Sequence, residues 1–140
     1  MKSQSKNLIS FDKFMEMSLY DKKNGYYMKK NPFGKKGDFI TSPNISILFS
    51  EMILIWIISF WENLKKPKKI NIVELGSGNA EMLYEILKAS KKFPQFRNSC
   101  KFYIYEKSPY LKRIQKKKLK NHKITWLNNF KNIFENPTLF

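Results

Sequence analysis

A chain of 140 residues that is 42% apolar can build a core, and its length suits one domain. Six Pro and five Gly argue against low complexity, and nothing repeats at a fixed period, which excludes solenoids and propellers. The formal charge of +16, from 27 basic and 11 acidic residues, would suit nucleic acid or an anionic surface, yet only Arg97 and Arg113 are arginine.

Nucleic-acid surfaces lean on arginine for bidentate phosphate and base contacts. The lysines here accompany many Asn, Ile and Phe, whose codons are AT-rich, so coding bias accounts for much of the charge. A nucleic-acid partner is therefore not expected, since charge alone implies only a non-specific footprint. Cys100 is the only cysteine, so no intrachain disulfide can form, which fits a reducing compartment. His122 is the only histidine, and one Cys and one His far apart make no zinc ligand set; no metal site is expected.

The opening MKSQSKNLIS has no apolar core of signal-peptide length. Phe11, Phe14, Met15 and Leu19 then recur at helical spacing and predict an amphipathic helix, with Ser10 as N-cap and Asn24-Gly25 as the turn beyond it. Tyr26 to Pro43 reads as an ordered loop or short hairpin. Ser42-Pro43 leads into an apolar helix over about 46–63, which stops before Lys65-Lys66-Pro67. The run Ile45 to Trp61 is short for a membrane span and carries Glu51 near its middle, so the expectation is a buried helix and no transmembrane segment.

After Pro67 the character changes. Ile70 to Leu75 is a short β-branched run and predicts a buried strand. A glycine turn follows, then a helix with Met82, Leu83, Ile86 and Leu87 on one face. Lys101 to Tyr105 predicts a second strand. Pro109 to Leu119 predicts a second helix, with Pro109 in its first turn and Leu111, Ile114, Gln115 and Leu119 at helical spacing. Lys123 to Trp126 predicts a third strand, and Leu139 and Phe140 open a fourth. This alternation is an α/β fold with a doubly wound parallel sheet and right-handed crossovers. Residues 1–67 form a helical and loop segment before it, and residues 68–140 form the first half of the α/β domain. A parallel sheet is covered on both faces. Three strands with an open edge therefore suggest an incomplete sheet and an N-terminal part of a longer chain.

The chemistry-bearing turn is Val73-Glu74-Leu75-Gly76-Ser77-Gly78-Asn79-Ala80. Ligands of open α/β sheets bind at the carboxyl ends of strands, and glycines there let a backbone approach them closely. A dinucleotide loop needs a third glycine where Glu81 stands, and a P-loop needs a Gly-Lys-Ser/Thr ending that is absent. Nor does Ser77 sit at the centre of a G-x-S-x-G nucleophile turn. An acidic residue before the glycines instead suits a ligand with no phosphate and a positive charge, such as the sulfonium of S-adenosylmethionine (SAM). Glu106 ends the second strand and is placed to accept hydrogen bonds from ribose hydroxyls. Alone, Glu106 reads equally well as a solvated strand-end charge.

Five blocks together carry a family resemblance: FMEMSLYDKKNGYY at Phe14 to Tyr27, FGKKGDFITSPNIS at Phe33 to Ser46, LFSEMILIW at Leu48 to Trp56, VELGSGNAEML at Val73 to Leu83, and YEKSPYLKRIQKKKL at Tyr105 to Leu119. With them the chain resembles the MidA-like SAM-dependent methyltransferases, a family that includes the mitochondrial assembly factor of respiratory complex I. The resemblance implies a Rossmann-like class I methyltransferase fold, SAM as cofactor, and methyl transfer to protein arginine, with a respiratory complex subunit as a possible substrate. It implies cofactor binding by Glu74, Gly76, Ser77, Gly78 and Glu106, and by Gly37 and Thr41 of the GDFIT loop. Asp38 of the same loop is the catalytic candidate, with a tight turn capped by Asp38 as the other reading of that loop. The implied location is the bacterial cytoplasm, or the mitochondrial matrix in a eukaryote.

Three residues depart from the family pattern: Ala80 and Ser50 stand where glycines are usual, and Asn44 where an acid is common. A Cβ at position 80 is expected to crowd the methionine end of SAM. Substrate-recognising and catalytic residues are expected beyond Phe140, so the chain alone is expected to have no turnover. The alternatives are a nucleic-acid methyltransferase of rRNA type and a basic non-catalytic nucleic-acid-binding or assembly module.

Overall fold

The computed structural model describes residues 8–131 and 133–140. Among them, β1 (Ile70–Leu75), β2 (Cys100–Tyr105), β3 (Ile124–Leu127) and β4 (Thr138–Leu139) form one sheet in the order β3-β2-β1-β4. All three pairings are parallel. The chain steps outward from β1 to β3 and then returns to the far side of β1. That reversal between β1 and β4 is the switch point of a Rossmann-like sheet.

One core lies on one face of the sheet. Ile70, Ile72, Phe102 and Ile104 project into it from β1 and β2. Leu83, Ile86 and Leu87 come from α5 (Glu81–Ala89), and Leu119 follows α7 (Pro109–Lys118). Leu54, Ile57 and Trp61 come from α4 (Ile47–Asn63). On the opposite face β1 presents Asn71 and Val73, both buried, as period-two alternation requires. The segment between β3 and β4, which includes a short 3-10 turn at Ile133–Glu135, packs on that face, with Phe130 against the Tyr105 ring at 4.8 Å. Asn71 fastens it, donating from Nδ2 to the Ile133 carbonyl at 2.7 Å and to Thr138 Oγ1 at 3.3 Å.

The segment before the sheet differs from its sequence reading in three ways. The α1 helix (Phe11–Tyr20) starts after Ser10, but Ser10 makes no side-chain cap bond and no α1 residue is buried. Tyr26 to Pro43 contains a helical turn, α2 (Tyr26–Lys29), and a loop closed by a bridge between Phe33 and Phe39. Ser42-Pro43 begins a separate turn, α3 (Ser42–Ile45), because Ser46 is extended at φ −143 and its hydroxyl caps α4 by accepting the Leu48 N–H at 3.2 Å. A short helix, α6 (Pro94–Ser99), was not expected; it seats Phe96 edge-on against Trp61 at 5.5 Å.

The expected buried helix is buried along one stripe only. Ser50, Leu54, Ile57 and Trp61 face the core, while Leu48, Met52, Ile55 and Trp56 are each more than half exposed. The helix is apolar all round, but one layer of neighbours covers one stripe of a cylinder. Trp61 is its anchor: the residue is 3% exposed and its indole N–H donates to the Pro67 carbonyl at 3.0 Å. Trp61→Ala is therefore expected to cost about 3–5 kcal/mol in denaturant unfolding. Trp56→Ala, on the exposed stripe, is expected to cost less than about 1 kcal/mol. Equal costs would contradict the one-sided packing.

Candidate functional site at the end of the first strand

The ladder from Ile70↔Cys100 to Leu75↔Tyr105 runs straight into the turn, where Gly76 N–H donates to the Tyr105 carbonyl at 2.9 Å. Gly76 (φ +67), Gly78 (φ +53) and Ala80 (φ +58) then adopt left-handed backbone at alternate positions. Glycine does so without a steric penalty. A Cβ on Gly76 would meet nothing within 4 Å, so that face of the turn is open space. A Cβ on Gly78 would stand 3.2 Å from the Phe33 ring, so the loop before α3 packs directly on the turn.

Ala80 caps α5 in the same left-handed backbone, and its methyl lies fully buried in the core. A methyl so fully buried leaves no exposed surface toward the open face of the turn. Left-handed backbone costs an alanine about 1–2 kcal/mol, and burying its methyl returns about 0.8 kcal/mol. The departure from glycine is thus partly compensated within the fold.

A cavity of about 440 Å³ opens at this turn, between the ends of β1 and β4 and the helices α4 and α5. Glu74, Gly76, Ser77, Gly78 and Thr41 line it, as the sequence reading requires of a shared site. Most of the remaining wall is apolar, including Trp56, Ile57, Met82 and Phe140. Among the described residues its ionisable groups are Glu74 and Glu81, and no Lys or Arg lines it, although the chain holds 27 basic residues. A ligand with a phosphate would lack a counter-charge there. A neutral or cationic ligand with an apolar body would not.

Glu74 accepts a hydrogen bond from the Ser77 hydroxyl. Burial pushes its carboxyl up to about 7, against that bond, with repulsion from Glu106 adding to the rise. Thr41 is held by Asn44, whose Nδ2 donates to Thr41 Oγ1 at 2.6 Å, while Asn44 Oδ1 accepts from Asn79 Nδ2 at 3.0 Å. Through these two bonds Asn44 ties α3 to the turn.

Three of the expected site residues are not among those lining the cavity. Gly37 does not line the cavity; a Cβ there would collide with the Pro32 carbonyl at 2.3 Å, so the position serves the tight turn of its loop. Asp38 faces outward, paired with Lys30 and accepting from the Tyr26 hydroxyl. Those two partners hold its carboxyl below the ordinary range, and the Asp38 bond pushes the Tyr26 hydroxyl up to about 12. Glu106 is 7% exposed behind the turn, with Oε1 accepting from the Ser108 N–H and Oε2 from Gln115 Nε2, each at 2.9 Å. A carboxylate has about four lone-pair positions, so about two remain open. Among the described residues, no cluster of His, Cys, Asp and Glu is arranged to hold a metal ion, and no helix is long and apolar enough to cross a membrane.

Residues 52–140, more than half of the chain, match the family model described as "Putative S-adenosyl-L-methionine-dependent methyltransferase". The chain belongs to that family. Its relatives include the protein arginine methyltransferase NDUFAF7, mitochondrial, of Xenopus tropicalis, 36% identical over 120 residues that make up 84% of this chain and 28% of the relative. The human protein of the same name is 34% identical over 125 residues, 88% of this chain and 28% of the relative. The chain thus spans under a third of the length of these methyltransferases. A Burkholderia thailandensis protein crystallised with S-adenosyl-homocysteine superposes with a TM-score of 0.77 at 23% identity, over 93% of this chain and 35% of that one. That likeness gives this methyltransferase family member its Rossmann-like fold.

The raised Glu74 carboxyl has a consequence for stability. Between its unfolded value of 4.5 and its folded value of about 7, the folded chain holds a proton that the unfolded chain has lost. Its contribution to stability is therefore full below about pH 4.5 and falls away as pH rises to about 7. Glu74→Gln has no such loss. The stability of the variant minus that of the parent, read from urea midpoints, is expected to climb across this window and level off above it. A difference independent of pH would show that Glu74 is not perturbed.

Proposed function

We propose that this chain carries the cofactor-binding turn of a SAM-dependent methyltransferase acting on protein arginine. The observation that carries the cofactor reading is the cavity itself: an open left-handed glycine at the end of β1, two glutamates in the wall, and, among the described residues, no basic side chain lining it in a strongly basic chain. That donor set fits a ligand with a sulfonium and without phosphate. Gly76 and Gly78 would admit its backbone-hugging portion, Glu106 would take ribose hydroxyls through its open lone pairs, and Glu74 with Ser77 would order the loop between. When bound, SAM supplies an electrophilic methyl group whose sulfur leaves as a neutral thioether. The chain's own part is to align the ligand and keep water from the apolar wall, which is the main demand of an in-line displacement.

The names of the relatives support protein arginine as the substrate class and a mitochondrial setting; the bacterial cytoplasm as the setting in a bacterium follows only from the family resemblance. A respiratory complex subunit as the methylated protein follows from the family resemblance.

Calorimetric titration of S-adenosylhomocysteine into the purified chain tests the cofactor reading. Gly76→Ala serves as the comparison, because its methyl enters the open face of the turn at a backbone cost of about 1–2 kcal/mol. Saturable binding by the parent is expected, weakened at least about tenfold, or about 1.4 kcal/mol, in the folded variant. No binding by the folded parent, or equal binding by both, would overturn the reading.

A further inference from the structure

Gln115 is fully buried, in a helix where its next three neighbours are lysines. Burying a primary amide is costly unless its hydrogen bonds are met. Here they are. Nε2 donates to the Gly78 carbonyl at 3.0 Å and to Glu106 Oε2 at 2.9 Å, and Oε1 accepts from the Trp126 indole at 3.0 Å. The orientation of the amide follows from its partners. A carbonyl and a carboxylate can only accept, and an indole N–H can only donate. Turned over, the amide would set acceptor against two acceptors and donor against donor. One side chain thus joins the glycine turn after β1, the acid after β2, and β3.

We propose that Gln115 is the positioning residue of the cofactor site, holding the Gly78 peptide and the Glu106 carboxylate in one fixed relation so that the remaining Glu106 lone pairs face the ligand. The inference rests on the cofactor reading of the turn. It assigns α7 a part in ligand affinity that its helical pattern does not suggest. The Ser108 N–H fixes the other Glu106 oxygen, and the Ser108 hydroxyl donates to the Tyr27 carbonyl at 2.6 Å, so the carboxylate has little freedom once Gln115 is in place.

Gln115→Glu keeps the size and removes the donors. The substituted carboxyl group then faces the Glu106 carboxylate and can bond to it only through a shared proton. As pH rises and that proton is lost, the two should part and the Glu106 orientation should fail. The other charged and titratable groups around the pair are Glu74 from β1, Tyr20 and Lys107 toward α1, Glu81 paired with Lys118, and Lys116 over the Trp126 ring. They are common to parent and variant, so the difference between the two pH profiles isolates the substitution. Gln115→Met, similar in length and without hydrogen bonds, is the second variant.

The probe is S-adenosylhomocysteine, titrated calorimetrically well below the melting temperature, with folding checked by circular dichroism. At about pH 5.5, Gln115→Glu is expected to bind within about threefold of the parent, and at about pH 8 at least about tenfold more weakly. Gln115→Met is expected to bind weakly at both. A residue with a purely structural role would shift the melting temperature and leave the affinity of the folded protein and its pH profile unchanged. Parent-like binding by the folded Met variant at both pH values would overturn the proposal, as would parent-like binding by the Glu variant at the higher one. A parent that binds nothing would instead overturn the cofactor reading itself.

Discussion

The six-residue parallel register between β1 and β2 sets the geometry of everything at the site. Because Leu75 pairs with Tyr105, the first turn peptide, Gly76, hydrogen-bonds into the end of β2, and Glu106 emerges beside it. A slip by one residue would exchange the faces of Ile72 and Val73 and carry Glu74 to the wrong side of the sheet. The hydrophobic core therefore enforces a polar arrangement: burial of Ile70, Ile72, Phe102 and Ile104 on one face fixes where two carboxylates and two glycines meet. Gln115, entering from α7, then joins the ends of the two strands through the side-chain and main-chain acceptors it finds there.

The charge of the chain is partitioned with the same logic. A formal +16 raises self-repulsion in the folded state. Several of the cationic groups nevertheless rest on aromatic faces, among them Lys30 on Tyr26, Arg97 on Phe102, Lys107 on Tyr20 and Lys116 on Trp126. Such contacts offset about 0.5–1 kcal/mol each where exposed. None of these cations lines the cavity, where, among the described residues, Glu81 is paired with Lys118 and Glu74 is buried without a cation. The carboxyl of Glu74 responds to that burial by holding its proton to near neutrality, whereas Asp38, outside on its loop between Lys30 and Tyr26, responds to its partners in the opposite sense.

Much of the fold was legible because strands and helices here obey their own periods. INIVEL, KFYIY and KITW read as strands and lie within a residue of the observed ends, and Pro109 marked the start of α7. The glycine turn could be read because left-handed backbone restricts residue choice. What escaped was set by partners distant in sequence. Gln115 looked like one more position on a helix face, and only the meeting of Gly78, Glu106 and Trp126 gives it its three bonds. The apolar run of α4 promised burial, but composition does not count the neighbours available to cover it. The GDFIT loop was read as a unit; Thr41 lines the cavity, while Gly37 and Asp38 serve the turn and an outward ion pair, because successive residues of a tight loop point in different directions.

The most direct test of the central claim, that the end of β1 is the cofactor site, is a ¹⁵N-resolved nuclear magnetic resonance titration of the chain with S-adenosylhomocysteine. The account requires the largest amide shifts at Gly76, Ser77 and Gly78, together with a shift of the Trp126 indole N–H relayed through Gln115. Perturbation centred elsewhere, or none in a well-dispersed spectrum, would contradict it.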